Sequence, residues 1–390
     1  MNLTRRRWAS GIAVAALGCS KSEAPEPGRA GEPGPPHVID LHCDTPMLFR
    51  DGSFDLGVRN DRGEVDIPRM RAGSVTAVFF SVYTSATRNT ELEAVQEALE
   101  IIDSIRRTVE LHPDDLVFAV SAEEIRAARD SGRIAILLGI EGGHMINSSL
   151  AVLRSLYALG GRYLTLTHSK ETPWAGSSGS DSDTGLTDFG REVVAEMNRL
   201  GMMVDISHVS DRTFWDVVES SQAPIIASHS SARALASHRR NMTDEMIRAT
   251  ADTGGVVHIN YYNTFLDDNY VQRSRQWEAE NPNMGKSGGR DARTKAKLAA
   301  IGRTSLETLL DHFEHAVRIG GIEAVGMGSD FDGVDGELPE GAEDIAMIPN
   351  IAAGLVRRGF SSGDVERILG TNSLRVLQDV ETAAASRAQG

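Results

Sequence analysis

Val38-Ile39-Asp40-Leu41-His42-Cys43-Asp44 is a short apolar run ending on a histidine and an aspartate one residue apart. The pattern recurs down the chain. Glu141 follows the run at 134–140 and His168 the run at 163–167. His208 follows 202–207, His229 follows 224–228 and Asp330 follows 324–329. A parallel barrel gathers the carboxyl ends of its strands at one face, so residues far apart in sequence meet there. Histidines and carboxylates converging on such a face are the donor set of a hydrolytic metal site.

Eight runs read as strands: 38–41, 75–82, 134–140, 163–167, 202–206, 224–227, 256–259 and 324–327. Most are continuous and β-branched, as strands buried on both faces are. Helical periodicity fills the intervals. Over 91–111, Leu92, Val95, Ala98, Ile101, Ile102 and Ile105 share a face. Val193, Val194, Met197 and Leu200 align over 189–200, and Leu306, Leu309, Leu310, Phe313 and Val317 over 305–319. Eight β units alternating with helices predict an α/β fold, a closed (β/α)8 TIM-like barrel with insertions. The rival is an open doubly wound sheet, but its Gly-rich turn after the first strand is absent. The largest insertion, 266–303, is charged and Gly/Asn-rich with no strand pattern. It reads as a flexible lid or an oligomer contact over the seventh strand's opening.

The 390 residues carry 55 Asp and Glu against 40 Lys and Arg, a net charge of −15. That balance argues against nucleic acid as a partner, since phosphate binding needs a basic face. Residues 1–19 read as an export signal. Arg5-Arg6-Arg7 resembles a twin-arginine motif, and a short apolar stretch leads to Ala16-Leu17-Gly18-Cys19, which resembles a lipobox with Cys19 as the lipidated residue. A plain signal peptide cut near Ala16 is the alternative. Residues 20–36 are a Pro/Gly-rich tether without apolar periodicity. The (β/α)8 domain is expected over 37–380, followed by a frayed tail at 381–390. The location expected is the bacterial cell envelope, lipid-anchored at the outer membrane or its periplasmic face. Cys43 is the only other cysteine, so an intrachain disulfide is not expected.

Within the candidate site, alternate residues of an extended segment share a face, so His42 and Asp44 can ligate one ion while Cys43 points away. Glu141 leads into Gly142-Gly143-His144, where glycines allow a sharp turn. Its two oxygens can bridge two ions, and a buried glutamate needs such partners. His144 is read as a loop or supporting histidine, not a ligand. His208 and His229 end successive strands as neutral-imidazole ligands. His168 either ligates or stabilises a developing oxyanion. Asp330 is placed to take a proton from the attacking water, with Asp332 as the competing carboxylate. His37, His112, His238, His258, His312 and His315 are read as surface or packing residues.

From about residue 37 to 376 the chain resembles the membrane (renal) dipeptidase family of zinc metallopeptidases. The resemblance runs through Asp40-Leu41-His42-Cys43-Asp44-Thr45-Pro46, Val65-Asp66-Ile67-Pro68-Arg69-Met70, Gly139-Ile140-Glu141-Gly142-Gly143-His144 and Arg162-Tyr163-Leu164-Thr165-Leu166-Thr167-His168. It continues in Asp205-Ile206-Ser207-His208-Val209-Ser210, Ser228-His229-Ser230-Ser231-Ala232, Gly328-Ser329-Asp330-Phe331-Asp332-Gly333 and Gly370-Thr371-Asn372-Ser373. It implies a distorted barrel of the amidohydrolase type carrying two zinc ions. His42 and Asp44 would hold one, His208 and His229 the other, with Glu141 bridging. His168 would touch the substrate near its scissile carbonyl. Arg240 would pair with the terminal carboxylate, although its spacing alone reads as a solvated arginine. Two departures stand out. Lys170-Glu171 replaces uncharged polar residues, which bears on side-chain preference, and the cysteines that pair in the animal enzymes are missing.

The function implied is a dizinc dipeptidase for dipeptides with a free C-terminal carboxylate, accepting D-residues at that position, with Asp330 and His168 catalytic. The alternatives are a related amidohydrolase acting on β-lactams, lactones or N-acyl amino acids, and a non-catalytic envelope-binding lipoprotein. The partners expected are dipeptides, the membrane through Cys19, and a second copy of the chain.

Overall fold

The computed structural model describes residues 36–284 and 289–388; the expected signal and nearly all of the tether lie outside them. Nine strands are all parallel to their neighbours: β1 (Ile39–Cys43), β2 (Ala77–Tyr83), β3 (Leu116–Phe118), β4 (Ile134–Glu141), β5 (Gly161–Thr165), β6 (Met203–Asp205), β7 (Ile225–Ala227), β8 (Val256–Ile259) and β9 (Val325–Met327). Their order is β2-β1-β9-β8-β7-β6-β5-β4, and β2 pairs back onto β4. Eight strands therefore close into a barrel, and they are the eight apolar runs. β2 and β7 stand opposite each other, four strands apart in either direction. β3 was not expected. It borders the start of β4, whose later residues pair with β5 on the same edge. Three residues are too few to show an alternation.

The strands are apolar throughout because both faces are buried. Ile39, Leu41, Phe79, Leu137, Tyr163 and Ile226 belong to an inner cluster that Ile125 and Leu377 complete. Val78, Phe80, Ile136 and Leu138 belong to the larger cluster shared with the surrounding helices. Helix Glu91–Leu111 starts at a capping box between Thr90 and Glu93 and buries Ala94, Ala98, Ile101, Ile102, Ile105 and Val109. Leu92 departs from the expected face: it sits in the first turn, 69% exposed.

Two further expectations are corrected. The segment 381–388 is no frayed tail but the end of helix Asn372–Ala388. Val380 is fully buried there, and Arg387 donates to the Gln222 carbonyl at 2.6 Å. The alanines at 383–385 continue the helix at little conformational cost. The insertion is largely helical, with Asp268–Glu280 and Gly289–Ile301 both regular. Tyr270 is fully buried and donates to Glu337 at 2.7 Å, and Lys297 pairs with the same carboxylate. Those bonds fasten the insertion to the loop after β9.

A β-bulge sets the first ligands. Asp40 aligns with Val78 but Cys43 with Phe80, so three steps on β1 oppose two on β2. Ile39 and Leu41 lie in the inner cluster, whereas Cys43 packs outward with Phe80. The extra residue shifts the phase of the strand, and His42 and Asp44 both turn into the barrel mouth.

Candidate active site

Glu141 is the centre of the site. It is buried, and its Oε1 lies 3.1 Å from His208 Nε2, 3.4 Å from His229 Nε2, 3.6 Å from His42 Nε2 and 3.7 Å from His168 Nε2. His42 Nε2 is also 3.5 Å from Asp44 and 4.0 Å from Asp330. Among the described residues three groups gather ligand atoms within 4.8 Å, and all three are here: His42, Glu141 and His229; Glu141, His168 and His208; His42, Asp44 and Asp330. The structure thus brings together every ligand candidate, with Asp330 and His168 at ligand-like distances as well. The His208 and His229 Nε2 atoms are 2.9 Å apart, while His42 and His229 stack with ring centroids 3.8 Å apart.

Supporting bonds aim the rings. His42 Nδ1 and Tyr163 Oη are 2.7 Å apart. Tyr163 reaches that position because β4 has Gly139 where any side chain would overlap its ring. His229 Nδ1 lies 2.8 Å from Ser228 Oγ, which donates to Asp205 Oδ2 at 2.6 Å. Asp205 also accepts from Thr165 Oγ1 and from the amides of Ser207 and Ser228, tying β5, β6 and β7 together. Asp40 does the same for β1 and β9 by accepting from Ser329. Tyr163, Asp205 and Ser228 were not singled out in the sequence. An aspartate inside an apolar run, as at Asp40 and Asp205, was the available signal.

The electrostatics call for a cation. Burial opposes charge on His42, but Glu141 and Asp44 override it and raise the ring to about 10. Burial likewise raises Glu141 to about 8, with His42 opposing and Asp44 and Asp330 adding to the rise. His208 and His229 are held well below the usual range, first by burial, so they are neutral and able to ligate. His42 Nε2 and Asp44 Oδ1 are buried without a hydrogen-bond partner. No side chain fits at position 333, where a Cβ would overlap the carboxylates of Asp44 and Asp330. Orphaned donors of this chemistry around three carboxylates fit a metal centre.

Asp330 accepts from Asn260 Nδ2 at 2.8 Å through Oδ2, and both it and His208 adopt left-handed backbone (φ 65° and 67°). Such conformations cost roughly 1–3 kcal/mol in non-glycine residues and are held by the surrounding structure. Burial raises the Asp330 carboxyl to about 6, His42 opposing and Asp44 reinforcing. Asp332 stands apart, accepting from Thr45 Oγ1 and the Glu64 amide, both at 2.7 Å. His144 is also separate, its Nε2 2.8 Å from Thr84 Oγ1. Arg240 is not a surface arginine. It is 6% exposed, with Nη1 donating to Ser230 Oγ at 2.6 Å, Nη2 to the His229 carbonyl at 2.8 Å, and Nε unpartnered. A cavity of about 550 Å³ opens over Asp44, Glu141, His168, His208 and Asp330, a usual size for a small-molecule site. Lys170 and Glu171 do not line it.

A parallel barrel with histidines and carboxylates at its strand ends defines the class: a metal-dependent hydrolase. The chain belongs to the membrane dipeptidase family, peptidase family M19, whose model matches residues 36–389. It is 35% identical over 371 residues to an uncharacterized dipeptidase of Schizosaccharomyces pombe, covering 89% of this chain and 81% of that one. Identity to dipeptidase 3 of Rattus norvegicus is 36% over 355 residues, covering 88% of this chain and 65% of the rat protein. Among solved structures it is similar to a metallopeptidase from Rhodobacter sphaeroides liganded with a phosphinate mimic of the dipeptide L-Ala-D-Ala (TM-score 0.75, 25% identity, covering 88% and 99%). The probable dipeptidase PvdM of Pseudomonas aeruginosa shares the fold (TM-score 0.79, 24% identity, covering 90% and 96%). The protein is a metallopeptidase of the dipeptidase type.

Proposed function

We propose that the protein is a dizinc dipeptidase that cleaves dipeptides with a free C-terminal carboxylate and accepts a D-residue there. The observation that carries this reading is the convergence of four histidine Nε2 atoms on Glu141 Oε1, with His42 Nε2 and Asp44 Oδ1 buried and unpartnered. His42 and Asp44 would hold one zinc and His208 and His229 the other, with Glu141 shared. Bound there, zinc would polarise the scissile carbonyl and acidify the attacking water.

The chain's own residues do the rest. Asn260 holds Asp330 by Oδ2, which leaves Oδ1 to take the water's proton and deliver it to the leaving amine. Burial holds the Asp330 carboxyl above the ordinary aspartate range, which suits a group that both takes and returns a proton. His168, held to about 3 mainly by burial, stays neutral and can present an N–H to the oxygen that gains charge. Arg240, which lies behind the cavity wall with its Nε buried and unpartnered, supplies positive charge toward the terminal carboxylate. Acceptance of a D-residue is supported by the similarity to the Rhodobacter sphaeroides metallopeptidase and its L-Ala-D-Ala mimic.

A panel of L,L- and L,D-dipeptides, assayed on zinc-loaded and chelated protein with metal content measured in parallel, tests the reading. About two zinc equivalents and chelator-sensitive cleavage are expected. Full activity without metal removes it. Arg240→Ala should lose far more on a free dipeptide than on its C-terminal amide, and equal losses would make Arg240 purely structural. The export reading stands beside this: Cys19 would anchor the enzyme at the envelope, and the intact mass of the mature N-terminus decides it.

A further inference from the structure

We propose that Arg88 reads an acidic side chain on the amino-terminal residue of the substrate, an inference that rests on the dipeptidase reading with Arg240 as carboxylate anchor. Arg88 follows β2 and lines the catalytic cavity together with Tyr83, whose ring is 4.9 Å from that of His168. Arg240 is bonded to Ser230 and the His229 carbonyl just past β7, the strand opposite β2 in the barrel. A dipeptide held at its carboxyl end by Arg240 therefore extends its amino-terminal residue across the mouth toward Arg88.

Arg88 is exposed, and its guanidinium makes no hydrogen bond or ion pair among the described residues. Its neighbours are engaged already. Arg50 pairs with Glu97 and, at 2.9 Å, with Glu100, and Glu97 also accepts from Asn89. A second cavity of about 270 Å³ shares Met47, Tyr83, Ser85 and Arg88 with the catalytic one, so a side chain has room beyond the scissile bond. An unpaired guanidinium there offers a carboxylate a forked, charge-assisted partner and repels a basic side chain.

The test compares kcat/KM for Glu-Ala and Gln-Ala, which match in size but carry a carboxylate and a neutral amide. Wild-type protein should favour Glu-Ala by about 2–5-fold, the worth of a solvent-facing ion pair, and the preference should shrink in high salt. Arg88→Gln should bring the ratio to about one, and Arg88→Glu should shift preference toward Lys-Ala. Circular dichroism checks that the variants fold; the salt series on wild-type protein tests the idea without them. Cleavage of both peptides with a wild-type ratio of one, or a ratio unchanged in Arg88→Gln, overturns this inference and leaves the dipeptidase reading standing. Failure of zinc-loaded protein to cleave any dipeptide would overturn both.

Discussion

His42 Nδ1 lies 2.7 Å from the Tyr163 hydroxyl, across the barrel from β1 to β5. A metal-binding His42 needs its lone pair on Nε2, so its Nδ1–H must donate to Tyr163. Such supporting bonds are typically worth 10–100-fold in metal affinity. Tyr163→Phe should therefore weaken zinc binding by about that factor while the fold persists. Competition against a chelator of known affinity measures it, and unchanged affinity would mean that ring packing alone orients His42.

Asp330→Asn keeps the shape that Asn260 and the left-handed backbone hold, but removes the proton acceptor. Turnover should fall by about 10²–10⁴-fold, the usual worth of a positioned acid/base. Metal content should be retained. Loss of metal instead would make Asp330 a ligand, a role its place beside His42 and Asp44 also allows.

Gly333→Ala introduces a methyl that would overlap the carboxylates of both Asp44 and Asp330. Those groups must move, so metal content and turnover should drop together, while the melting temperature changes little because the position borders a cavity. A fully metallated, active Gly333→Ala protein would show that the loop after β9 yields freely.

Glu64 and Asp332 bond reciprocally, each carboxylate accepting the other's backbone N–H at 2.7 Å. Burial first, then the neighbouring Asp332 charge, raises Glu64 to about 10. The folded state therefore keeps a proton that the unfolded chain releases near 4.5. Stability from this group is present below that value and falls as pH rises toward 10, by at most about 1.4 kcal/mol per pH unit. Glu64→Gln should flatten denaturant-measured stability between pH 5 and about 9 and raise it at pH 8. An unaltered slope would place the titration elsewhere.

The sequence by itself determined the eight barrel strands, the helix over 91–111 and the ligand candidates. A strand buried on both faces is apolar along its whole length, and each ligand stands where such a run stops. Other features depended on partners distant in the chain. The bulge in β1 exists only against β2, yet without it Cys43 would face the site. Arg240 reads as solvated until Ser230 and the His229 carbonyl bury it. Tyr163 reads as one more strand residue until Gly139 makes room for its ring beside His42. Local pattern encodes which face is buried; which atoms meet there is settled by strand register and by long-range hydrogen bonds between strands.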